Sequence, residues 1–197
     1  MKSMFNIRFQ NNMHISRSRF IQYIFLSLAI IAPYVMMFYI YQWYSNKERD
    51  INNARFILIS KQDMYLTVFD YKGNAVGKYP IACGLNSGDK EKQGDMKTPE
   101  GVFKISEIQE SDNWTHDFND GMGEIKGAYG PYFIRLFVPD FKGIGIHGTH
   151  DSTSIGKRIT EGCIRLRNED LIKLVPQVKH GTVVVITGAA EDFAKIN

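Results

Sequence analysis

Positions 20–44 run for 25 residues without a charge. As a helix rising ~1.5 Å per residue, this stretch reaches ~37 Å, more than the ~30 Å of a hydrocarbon core. Pro33 falls inside it, which a membrane helix tolerates better than a soluble one. Tyr39, Tyr41, Trp43 and Tyr44 gather at the far end, where an aromatic belt lies. The pattern predicts a transmembrane anchor over 20–44, with a basic tail over 1–19 and a linker over 45–54. A cleaved signal peptide would show an apolar core of ~7–15 residues and a small-residue cleavage site, and the sequence has neither.

Past the linker the period shortens. Residues 55–60 (RFILIS) are β-rich, and 63–70 alternate, with Met64, Leu66 and Val68 on one face. The YKGN turn at 71–74 folds this run onto 75–83 as a hairpin. Further strands are expected at 101–108, 132–138, 144–147 and 182–187. One helix is expected, 169–178 capped by Asn168, with Leu171, Ile172, Leu174 and Val175 at helical spacing. Gly181 then ends that segment before the last strand. Residues 106–130 read as a long polar loop containing Trp114, His116 and Tyr129, the kind that covers a site. The chain therefore reads as a mainly β domain over 55–188 with one or two short helices, preceded by a single transmembrane helix and followed by a tail over 189–197.

Charge refines this picture. Six of the 24 Lys and Arg and two of the 21 Asp and Glu lie in the first 50 residues, leaving 18 and 19 for the rest. The net charge of +3 thus belongs to the tail, and the near-neutral domain does not suit nucleic acid. Lys2, Arg8, Arg17 and Arg19 precede the span with no acid among them, so the positive-inside rule puts 1–19 in the cytoplasm and 51–197 in the cell envelope. Two cysteines are too few for a disulfide scaffold. None of the 17 glycines precedes Gly73, and 11 fall between Gly84 and Gly148, as short strands joined by turns require.

The chemistry concentrates between His147 and Arg165. Cys163 could act as a thiol nucleophile and His147, at a strand end, as its base. Gly162 lets backbone amides approach an oxyanion, and Arg165 could clamp a carboxylate. The same residues have a bland reading, since a lone Cys is most often a small buried hydrophobe and a strand-end His is often only hydrogen-bonded. Zinc on His147, His150 and Cys163 is disfavoured by the His-x-x-His spacing and the lack of a fourth ligand. Cys83 reads as a buried strand residue; a disulfide from it to Cys163 would block a thiol nucleophile.

His147-Gly148-Thr149, then Ser154-Ile155-Gly156, then Thr160-x-Gly162-Cys163-Ile164-Arg165 resembles the signature of the L,D-transpeptidase catalytic domain family. Upstream, Thr98-Pro99-Glu100-Gly101-Val102-Phe103 resembles that family's Thr-Pro-x-Gly-x-Phe segment. Asn168-Glu169-Asp170 and Gly181-Thr182-x-Val184 are similar to its downstream part. The resemblance runs from about residue 57 to 188. It implies a β-rich sandwich or barrel, no cofactor or metal, and action on peptidoglycan stem peptides. It further implies that Cys163 forms a thioester at the third stem residue and releases D-alanine, with His147 as base. Gly162, Thr160, Arg165, Gly148 and Thr149 would bind substrate or oxyanion. An amine acceptor gives a 3→3 cross-link; water gives L,D-carboxypeptidase activity. One position departs from the pattern: the family's His before Gly-Cys is Glu161 here. A carboxylate there would raise the thiol pKa by repulsion unless it is turned away onto Arg158 or backbone amides, the arrangement expected. A wall-binding module that has lost activity and an unrelated Cys–His amidase are the competing readings.

Overall fold

A computed structural model describes residues 17–52, 54–118, 121 and 123–188, with backbone only for 50–52. The chain divides into two compact units, one ending at Arg49 and the other starting at Asp50. The first contains all but the last three residues of helix α1, Arg17–Asn52, whose apolar length suffices to cross a membrane. The sequence-expected span lies inside it. Tails 1–16 and 189–197 lie outside the described residues.

The second unit is mainly β. Its strands are β1 Arg55–Ser60, β2 Tyr65–Asp70, β3 Ala75–Pro80, β4 Cys83–Gly84, β5 Gly101–Glu110 and β6 Thr115–Asp117. They continue as β7 Glu124–Lys126, β8 Tyr132–Phe137, β9 Gly145–His147, β10 Arg158–Thr160, β11 Ile164–Arg165 and β12 Val183–Thr187. Eight of them form one sheet in the order β11-β9-β8-β5-β12-β1-β2-β3, and β10-β4 and β6-β7 form two small sheets. The sheet curls back on itself. Just past β3, Ala82 N donates to Arg165 O at 2.8 Å and Arg165 N to Ala82 O at 2.9 Å, so the two edges meet. Alternation explains the core: Ile57 and Ile59 on β1, Leu66 and Val68 on β2, and Val184 and Ile186 on β12 are buried together.

The β2–β3 turn forms as the sequence predicts, and Asp70 organises it by accepting from Lys72 N, Asn74 N and Asn74 Nδ2. Strand β2 begins at Tyr65 rather than 63, because Met64 sits at φ +58°. The expected strand over 75–83 is broken at 80, and Cys83 pairs instead with Arg158 of β10.

Helix α2, Asn168–Leu174, is shorter than expected and is followed by a 3₁₀ turn, Val175–Gln177; Leu171 and Leu174 join the core. Its N-cap is Arg167, with no side-chain cap bond. Asn168 does not cap the helix. Its Oδ1 accepts from Thr149 N at 2.8 Å and lies where a Cβ on Gly130 or Gly148 would stand. The side chain therefore ties the start of α2 to the end of β9, which outcompetes capping. Asn168→Ala leaves the Thr149 N–H unpaired and is expected to destabilise the domain by about 1–3 kcal/mol, read as a lower urea midpoint.

Candidate active site

Strands β9 and β11 pair in parallel, with Ile164 beside Ile146 and Arg165 beside His147. Both isoleucines are fully buried in the core, so alternation turns His147 and Arg165 to the opposite face. Cys163, one step before β11, joins them there. The three side chains line one cleft of about 320 Å³. One wall is the segment around Lys90–Met96, the other the β6–β7 hairpin with His116, Phe118 and Tyr129.

Two buried lysines and their ion pairs hold the first wall. Lys90 Nζ lies 2.7 Å from Asp95 Oδ1, and Asp95 also accepts from the amides of Glu91, Lys92 and Lys97. Lys61, at the end of β1, donates to Gly88 O and Thr98 O and pairs with Glu100 at 2.9 Å. The second wall occupies the segment expected to be a loop. The hairpin is rooted where Ser111 Oγ donates to Gly130 O, and Trp114 packs edge-on to Tyr129.

The turn before the thiol is clamped by Thr160, whose Oγ1 accepts from Gly162 N at 3.2 Å and donates to Cys163 O at 2.6 Å. Gly162 has φ +134°, and a Cβ there would stand 2.9 Å from Lys97 O. Gly162→Ala is therefore expected to cost about 1–3 kcal/mol, seen as a lower Tm.

His147 is 3% exposed, stacked on Phe133 at 5.5 Å and met edge-on by Tyr129 at 4.9 Å. Its Nδ1 bonds Gly148 O at 2.7 Å, which leaves Nε2 as the free lone pair. Burial pushes its pKa down to about 3, helped by Arg165 and His116 and opposed by the Gly148 carbonyl. Cys163 is partly exposed in the cleft and donates from Sγ to Gly143 O at 3.2 Å. Desolvation pushes its thiol up to about 11; Glu161 adds to the rise, while the Gly145 amide, Arg165 and Arg135 oppose it. The resting pair is thus a neutral thiol and a neutral imidazole, with no hydrogen bond between them.

Arg165 is 5% exposed, gives Nη1 to Ser154 Oγ at 3.1 Å, and leaves Nε without a partner. No carboxylate among the described residues lies within ion-pair distance of it. Gly148 and Thr149 do not line the cleft: the Gly148 carbonyl is taken by His147 and the Thr149 amide by Asn168. Both cysteines are free thiols. Cys83 is buried beside Met64 Sδ at 3.8 Å, as the strand reading expected.

Glu161 is where the structure departs from expectation. Arg158 does not hold it; that guanidinium donates to Lys61 O and Cys83 Sγ. Glu161 Oε2 lies instead 3.1 Å from His116 Nε2, and His116 Nδ1 lies 3.0 Å from Tyr129 Oη. In the sequence His116 and Tyr129 stand only as members of a long loop. Their clustering with an unusual Glu, 45 residues away from His116, has no spacing signature.

Residues 54–186 match the YkuD family of L,D-transpeptidase catalytic domains. Among relatives, YkuD of Bacillus subtilis is 43% identical over 108 residues, 55% of this chain and 51% of its own. YkuD of Bacillus licheniformis is 33% identical over 131 residues, 66% of this chain and 64% of its own. The chain thus spans between about half and two thirds of the length of these relatives. The fold is similar to the solution structure of the catalytic domain of an Enterococcus faecium L,D-transpeptidase, with a TM-score of 0.50 at 20% identity, over 68% of this chain and 98% of that one. Matched in sequence over nearly all of its β domain and similar in fold to a solved catalytic domain, the chain belongs to the YkuD L,D-transpeptidase catalytic domain family.

Proposed function

We propose that the chain is a membrane-anchored peptidoglycan L,D-transpeptidase that forms 3→3 cross-links through a thioester on Cys163. The observation that carries this reading is the convergence on one cleft of Cys163, His147 and Arg165, which no described carboxylate pairs with. A buried guanidinium without an anion is stabilised when substrate supplies one, and a stem peptide ends in a carboxylate. Helix α1 serves as the anchor, with 1–19 in the cytoplasm and the β domain in the envelope.

In the first step the thiol turns from Gly143 O, and its proton passes to Nε2 of His147. Sulfur attacks the carbonyl of the third stem residue, a diamino acid. The imidazolium returns the proton to the departing nitrogen, and D-alanine leaves. Gly148 O steadies the imidazole through Nδ1 while it carries the extra proton. The Gly145 amide, which already bears on the sulfur, and Arg165 favour the thiolate as it forms. An amine of a second stem then takes the acyl group, and the thiol is restored.

The test is the full chain in detergent with a disaccharide–tetrapeptide, read by intact-protein and product mass spectrometry. A thioester on Cys163, released D-alanine and a cross-linked dimer are the expected result. Tripeptide without dimer would rename the activity L,D-carboxypeptidase, and untouched substrate would leave a wall-binding module.

A further inference from the structure

Among the described residues lining the cleft, Glu161 is the sole carboxylate. The cations there have different commitments: Lys90 is neutralised by Asp95, while Lys142 and Arg165 have no carboxylate partner among the described residues. Glu161 precedes and Arg165 follows the thiol by two residues each, and both are near enough to bear on its charge. The site is therefore polarised about the sulfur, with an anion on one side and a cation on the other.

The Glu161 carboxylate is also held in place. Tyr129 Oη and Glu161 Oε2 occupy the two nitrogens of His116. These contacts, at 3.0 and 3.1 Å, tie the carboxylate to the hairpin through the imidazole. Only Oε2 is engaged there; Oε1 of Glu161 makes no hydrogen bond among the described residues. One carboxylate oxygen is thereby left uncommitted in the lining of a cleft whose sulfur it would otherwise only hinder, since its charge disfavours the thiolate.

We propose that Glu161 is the acceptor-recognition residue, binding the ammonium group of the second stem peptide next to the acylated Cys163. This rests on the transpeptidase reading and assigns the half of it that the thiol, His147 and Arg165 do not explain. The ammonium docks on Oε1 and sheds one proton to solvent. The resulting amine attacks the thioester carbonyl, the C–N bond forms, and the C–S bond breaks. The second nitrogen proton reaches sulfur through His147, so an amide, a thiol and one solvent proton are the products. Hydrolysis, whose nucleophile is uncharged, gains nothing from the carboxylate.

The test compares two nucleophiles drawn from the same thioester: a tripeptide stem carrying a free ammonium, and hydroxylamine, which is uncharged at neutral pH. Glu161→Gln is expected to raise KM for the ammonium acceptor about tenfold and lower its product relative to hydroxamate by the same factor, with Glu161→Asp recovering part of it. His116→Ala keeps the carboxylate and releases the hairpin. If Glu161→Gln and His116→Ala depress amide and hydroxamate equally against hydrolysis, Glu161 is only a latch that excludes water and the proposal is overturned. An unchanged amide-to-hydroxamate ratio in Glu161→Gln overturns it as well. Should the wild-type chain form no thioester, the transpeptidase reading fails by itself. Tripeptide binding to Cys163→Ala against Cys163→Ala/Glu161→Gln then reports on Glu161 without turnover: about tenfold weaker binding in the double variant supports the proposal, and equal binding defeats it.

Discussion

Cys163→Ala is expected to abolish D-alanine release and to leave no acyl adduct by mass, because no other described side chain in the cleft offers a comparable nucleophile. Cys83 cannot substitute. It is buried, its thiol is pushed up by desolvation, and it faces Met64 and Arg158. The variant also isolates the thiol's titration. With a pKa raised to about 11, the protonated form of Cys163 dominates at neutral pH, and the thiolate grows as pH rises. Iodoacetamide labelling of the resting wild-type chain should therefore increase steeply between about pH 7 and 9, close to tenfold per unit, and be lost in Cys163→Ala. A labelling rate that is flat from pH 6 upward would mean that a standing thiolate–imidazolium pair exists, against the neutral pair that burial of both groups favours. In the proposed reaction, substrate must bring thiol and imidazole together, since the sulfur rests on Gly143 O.

His147→Gln carries the second large effect, and on two observables. Loss of the proton carrier is expected to slow D-alanine release by about 10²–10⁴-fold. The second observable is stability in acid. In the folded chain His147 accepts a proton only near pH 3, whereas an unfolded histidine does so near 6.5. The folded state's advantage is therefore complete above about pH 6.5 and is lost as pH falls toward 3, at up to about 1.4 kcal/mol per unit. Glutamine cannot titrate, so between those limits the variant's urea midpoint should fall less steeply, by the slope of one proton. Identical slopes would show that the imidazole takes its proton without unfolding, and that burial against Phe133 and Tyr129 is weaker than the packing implies.

Much of this architecture is legible in the residues themselves. The alternation in β1 and β2 yields their buried faces directly, and the YKGN turn needs only local chemistry. The convergence of His147, Cys163 and Arg165 follows once 144–147 and 163–165 are read as neighbouring strands, since alternation puts all three on one face. What escapes the sequence depends on partners distant along the chain. Asn168 has every local credential of a cap and is claimed by Thr149 instead. The chain at Cys83 leaves its expected strand for an edge supplied by Arg158. The 106–130 segment is polar and glycine-bearing, so its pattern says loop, yet three cross-strand pairs and the roots at Ser111 and Trp114 make part of it a hairpin. Glu161 stands out by its departure from the family pattern, but only folding brings His116 to it.

The pairing of β1 with β12, in parallel and at the centre of the sheet, joins the first strand of the domain to its last. Strand β5 has no neighbour on that side until Val183–Ile186 arrive. During synthesis the β1–β2–β3 meander can form as soon as it emerges, but the half of the sheet that carries β9 and β11 is hydrogen-bonded to it through the final strand at the centre and through the Ala82–Arg165 pair where the two edges meet. Such long-range closure folds slowly. A ribosome stalled before Thr187 would thus present a tethered chain with its thiol already made and its cleft not yet assembled, and C-terminal truncations into β12 should yield protease-sensitive chains rather than weakened enzymes.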